Sequence, residues 1–156
     1  RLNKILVQPL QNCKLFQQLD KCDVVVLRSL CRVIARTLSD LFLDVILSNV
    51  VPKRFTDWGS LLLSKQVRVV QNYVQNLMQE AIARTTQDEA LPSLTQEWER
   101  LVQAVTVLQL EKPSDWLAFY QSTSVLTPEE LQSILSLRLE FSADAINTVI
   151  AAVKKT

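Results

Sequence analysis

Across 156 residues the chain carries a single glycine, Gly59. Tight hairpins and phosphate-cradling loops depend on glycine, because they need positive φ or a close approach of bare backbone. A chain this poor in glycine cannot supply many of either. Leu, Val, Gln, Glu, Arg and Ala dominate instead, and most of these favour helix. Turn-rich composition is confined to residues 52–59, 85–93 and 122–128. Together these features predict an all-α fold. At this length the chain buries roughly two-thirds of its unfolded surface, enough for a true core.

Helical spacing runs through most of the chain. Leu2, Ile5, Leu6 and Leu10 repeat at helical intervals, with Pro9 as a kink. A long helix is predicted over 22–50. Its apolar stripe comprises Val26, Leu27, Leu30, Val33, Ile34, Leu38, Leu41, Phe42, Val45 and Ile46, opposite Arg28, Arg32, Arg36 and Asp40. Such a helix would span about 40 Å, a length that suits a rod-like bundle. A connector over 52–59 follows, in which Phe55 and Trp58 are expected to plug the end of the bundle. A second long helix is predicted over 60–84, with Leu63, Val67, Val70, Val74, Leu77, Met78 and Ile82 as its seam.

Shorter helices fill the last third. Residues 94–110 place Trp98, Leu101, Val102, Val105 and Leu108 on one face, and Pro113 opens a short helix over 113–120. Thr127-Pro128-Glu129-Glu130 has the form of a capping box: an N-cap threonine, proline at the first helical position and glutamate at the third. Ser142-Ala143-Asp144 starts the terminal helix in a similar way, with an acid in its first turn. The expected organisation is an elongated bundle of long antiparallel helices over 1–84, a linker over 85–93, and a small bundle of shorter helices over 94–156.

Several functions are disfavoured by what the sequence contains. Its 17 basic and 16 acidic side chains leave no strongly basic footprint for nucleic acid. No apolar run approaches the ~20 residues of a membrane span. Cys13, Cys22 and Cys31 are odd in number and nine apart, alternating between opposite faces of a helix, so buried reduced thiols are expected. Histidine is absent, which removes the Ser-His-Asp and Cys-His arrangements and makes a zinc site unexpected. No catalytic residue, cofactor or metal is assigned. Glu97 and Arg100, at i and i+3, read as a surface pair. The three tryptophans could form a binding surface, but each lies near a helix end or on an apolar seam, and core packing is the preferred reading. Arg1 opens the chain inside a helical pattern with no initiator methionine, so a piece of a longer protein is expected.

A resemblance sharpens this. The run Glu97-Trp98-Glu99-Arg100-Leu101 through Leu108-Gln109-Leu110-Glu111, then Leu126-Thr127-Pro128-Glu129-Glu130-Leu131, then Leu137-Arg138-Leu139-Glu140-Phe141 resembles the carboxy-terminal end of the fourth-subunit family of the conserved oligomeric Golgi complex. Phe55-x-x-Trp58-Gly59 is similar to that family's junction between long helices. The likeness is specific over 98–146, with Trp98 in place of the family's Phe and Glu140 in place of its Asp. It implies a helical-rod subunit that tethers vesicles in retrograde intra-Golgi transport, peripheral on the cytoplasmic face of Golgi membranes. Other tethering subunits, Golgi SNAREs and their regulators are the implied partners. It also places Arg100 and Glu130 in contact between two terminal helices. Arg138 is the second candidate for such a network, with Glu140 or Asp144, and Glu129 sits beside Glu130 in the capping turn. The alternatives are a helical rod from another tether such as exocyst, an unrelated scaffold, or a helical enzyme domain whose site lies elsewhere.

Overall fold

The computed structural model describes residues 24–48, 55–85 and 94–155. The expectations for residues 2–10, Cys13, Cys22, the 52–54 connector and most of the 85–93 linker lie outside them. Six α-helices form among the described residues: α1 (Val24–Leu47), α2 (Asp57–Thr85), α3 (Thr95–Leu108), α4 (Trp116–Thr123), α5 (Pro128–Ser136) and α6 (Ala143–Val153). A 3₁₀ turn, Pro113–Asp115, leads into α4. The fold is all-α. One isolated parallel bridge joins Phe55 to Arg138.

The helix starts follow their side chains. Thr127 Oγ accepts the Glu130 N–H at 3.2 Å, and the Glu130 carboxylate accepts the Thr127 N–H at 3.0 Å, so the capping box read from sequence is formed at α5. Ser142 caps α6 through the Ala145 N–H. At α2 the start differs from the sequence reading. The helix begins at Asp57, so Trp58 and Gly59 belong to its first turn rather than to the connector. Thr56 explains this, since its Oγ accepts the Gly59 N–H at 3.2 Å and Asp57 adds an acid to the positive helix end. Pro113 opens a 3₁₀ turn rather than the α-helix itself, and the Asp115 carboxylate accepts the Lys112 N–H.

The chain packs as two units. In one, the described residues up to Leu38 join those from Gln66 to Trp98. Its buried residues include Leu27, Cys31, Ala35 and Leu38 of α1, Val67, Val70, Val74 and Met78 of α2, and Leu94 and Trp98. The other comprises Ser39–Lys65 and Glu99–Thr156. There α6 packs on α5, α4 and the 3₁₀ turn, around a core that includes Leu101, Leu108, Trp116, Leu131, Ile134, Leu135 and Val149.

Expectations about burial need correction on α3, α1 and α2. On α3, Val102 is exposed while Trp98, Leu101, Val105 and Leu108 are buried. On α1 the buried face runs through Leu27, Cys31, Ala35, Leu38, Phe42 and Ile46, while Val26, Val33, Leu41 and Val45 are exposed. The expected stripe follows the large aliphatics, whereas the face that packs includes small Cys31 and Ala35. On α2, Trp58 does not plug a bundle end: it is 74% exposed. Trp98 and Trp116 are buried, as the core reading expected.

Candidate functional site

Two ionic clusters lie within the second unit and contain Arg100, Glu130, Arg138 and Glu140 of the residues singled out from the sequence. The first is centred on Arg138, whose side chain is 1% exposed. Phe55 leads to it: its N–H donates to the Leu137 carbonyl at 3.0 Å, and its carbonyl accepts the Leu139 N–H at 3.1 Å. This pairing fixes the connector beside the Leu137-Arg138-Leu139 stretch. Asp57, two residues further on, thereby reaches Arg138. The guanidinium donates through Nη2 to Asp57 Oδ1, through Nη1 to the carbonyl of Leu108 at the end of α3, and through Nε to Glu140 Oε2 at 3.1 Å. It also lies 4.9 Å from the centroid of the Phe141 ring. One planar fork thus ties the start of α2, the C-terminus of α3 and the turn before α6.

The carboxylates of this cluster face outward, with Asp57 80% exposed. Glu140 is held below its ordinary pKa, chiefly by its own backbone N–H; some desolvation opposes this, and the hydrogen bond and charge of Arg138 reinforce it. Arg138 pairs with Asp57 and Glu140 rather than with Asp144. Asp144 is exposed in the first turn of α6, where its carbonyl accepts the Thr148 hydroxyl at 2.8 Å.

The second cluster joins α3 to α5. Arg100 Nη2 donates to Glu130 Oε1, while Glu130 Oε2 closes the capping box. Each oxygen of one carboxylate therefore has a separate task. Arg100 also lies 3.8 Å from Asp40 of α1. Partial burial works against ionisation of Glu130. The Thr127 N–H and the hydrogen bond and charge of Arg100 outweigh it, so the carboxyl sits below its ordinary range. The expected surface pair of Glu97 with Arg100 gives way to other partners, since Glu97 pairs with Arg32 at 3.7 Å. Glu129 meets Lys154 of α6 at 3.5 Å, with both side chains exposed.

Sequence reasoning missed Asp57 and Asp40. The first had a local signal, an acid directly after an N-cap threonine, but nothing local could pair it with a residue 81 positions away. Chemically both clusters are clamps. Their cations are matched by carboxylates and a carbonyl, and neither sets a nucleophile against a base. Among the described residues no group of three or more His, Cys, Asp or Glu could hold a metal ion. No helix there is long and apolar enough to cross a membrane.

No protein-family model matches the chain, and no solved structure matches it. Among curated proteins it is similar to conserved oligomeric Golgi complex subunit 4 of Arabidopsis thaliana, with 32% identity over 120 residues. The match covers 69% of this chain and 15% of that protein, so the chain spans well under a quarter of the relative's length.

Proposed function

The chain belongs to the family of conserved oligomeric Golgi complex subunit 4, and on that premise we propose that it is a non-catalytic piece of a vesicle-tethering subunit working in retrograde intra-Golgi transport. The observation that carries this reading is the 32% identity over most of the chain. The clamp chemistry supports it. Charged side chains that could have served a reaction are spent on fixing helices to one another, as an interaction surface needs. The partners in this reading are the other subunits of the complex, with Golgi SNAREs and their regulators. Attachment to the cytoplasmic face of Golgi membranes is peripheral, through the complex. Arg100, Glu130 and Arg138 hold that surface in shape and act through the elements they join.

Affinity capture of the full-length parent from cell extract, with mass spectrometry of its companions, tests the proposal. The expected result is recovery of the other subunits of the complex in near-equal amounts. Recovery of none of them overturns the assignment.

A further inference from the structure

The opening turns of α2 are inside out. Ser60 and Ser64 are buried, the Ser60 hydroxyl donating to the Asp57 carbonyl at 2.8 Å. Trp58, Leu61 and Leu62 point outward, 74%, 53% and 51% exposed. Burial within this chain would have placed the large apolar groups inward and the serines outside. Instead the helix presents an apolar surface on the order of a few hundred Å², the size at which exposed patches mark interaction sites.

Spacing and charge narrow the occupant. Trp58, Leu61, Leu62 and Lys65 stand at i, i+3, i+4 and i+7, a seam along one helix face. Lys65 is exposed one turn beyond the leucines. Asp57, the acid beside the seam, is engaged by Arg138. From there to Glu80 the charged residues of α2, Lys65 and Arg68, are both basic. We propose that Trp58, Leu61, Leu62 and Lys65 form a docking ridge for an amphipathic helix of another protein, one that carries leucine-type residues on its inner face and carboxylates along its edges. A ridge of i, i+3, i+4, i+7 anchors is the form in which one helix reads another. An anionic lipid surface fits less well, because such surfaces are read by clusters of about four to eight basic residues, whereas α2 offers two here. The inference rests on these side chains and does not require the Golgi assignment.

Acrylamide quenching of tryptophan fluorescence tests it, since Trp98 and Trp116 are buried and the quenchable emission reports Trp58; a Trp58→Phe variant fixes that attribution. The probes are a synthetic three-heptad helix with leucine at the seam and glutamate on the flanks, and its twin with lysine on the flanks. The expected result is that the glutamate peptide shields Trp58 and binds at least about tenfold more tightly than its twin. Leu61→Ser with Leu62→Ser should abolish that binding while the chain keeps its helical circular dichroism, which separates lost docking from lost folding. Lys65→Glu should remove the preference for the acidic peptide. Equal binding of both peptides, or no binding of either, overturns the proposal. So does shielding of Trp58 by phosphatidylserine vesicles, or by self-association of the chain in sedimentation, with no response to the acidic peptide. Binding of the peptide without co-purifying Golgi subunits would leave the ridge standing and remove the Golgi assignment alone.

Discussion

At Gly59 the backbone has no need of glycine. The residue lies in the first turn of α2, and an added Cβ would meet Thr56 Oγ at 3.6 Å and the Phe55 ring at 3.7 Å, both ordinary contacts. Gly59→Ala should therefore stabilise the chain by about 0.4–1 kcal/mol, through the reduced freedom of the unfolded state. A raised urea midpoint at unchanged slope would show it, and a lowered midpoint would mean that the contact with Phe55 is tighter than these distances allow. Arg138 is the opposite case. Its removal leaves the buried Leu108 carbonyl without its donor and opens a cavity beside Phe141. Arg138→Ala should cost about 3–5 kcal/mol. Arg138→Lys should recover only part of that, because an ammonium on a flexible stem cannot reproduce the three-way fork. Equal stability of the lysine variant and the parent in urea would contradict this account.

Among the elements, α5 shows how one side chain can serve two levels of structure. Glu130 closes a local cap with one oxygen and reaches α3 with the other. Glu130→Gln keeps an oxygen for the Thr127 N–H but gives up the ionic partnership with Arg100. Since Arg100 is about half exposed (46%), the ion pair is worth no more than about 1 kcal/mol. Thr127→Ala removes the cap itself and should cost about 1 kcal/mol at any neutral salt concentration. Added salt separates the two: it should shrink the deficit of Glu130→Gln and leave that of Thr127→Ala in place. Identical salt responses of the two variants would show that the contact with Arg100 contributes nothing of its own.

For the whole molecule, the lowered carboxyls set the direction of acid response. Glu130 and Glu140 are both held below their ordinary range in the folded chain. In the window between folded and unfolded values the unfolded chain binds more protons, so stability rises with pH there. The contribution is fully present above the ordinary glutamate range and is lost as pH falls through the folded values. Urea midpoints measured from neutral pH downward should fall, and fall less steeply in Glu130→Gln. A variant curve parallel to the parent would remove Glu130 from this account. Cys31 gives a second global readout. Its thiol is buried, and desolvation raises its pKa although its own backbone contact partly offsets this. Iodoacetamide at neutral pH should leave Cys31 unmodified until denaturant is added, as peptide mapping would reveal.

The scarcity of glycine, the helical spacing and the capping signals at Thr127 and Ser142 were enough to establish an all-α chain and to place the starts of α5 and α6, because these effects act within a turn or two. Pairing of Arg100 with Glu130 was also reached from the sequence, though by resemblance rather than by spacing. The buried seam of α2 at Val67, Val70, Val74 and Met78 was legible too, and what tertiary structure alone decided was which side of α1, and of the opening turns of α2, is inside. Cys31 and Ala35 of α1 are buried while Val33 and Leu41 face out, and α2 turns Ser60 inward and Trp58 outward. The same holds for Asp57 with Arg138 and Arg32 with Glu97. Periodicity records that a helix has faces, but burial depends on the shape of what packs against it, and partners distant in sequence become neighbours only once the chain has folded.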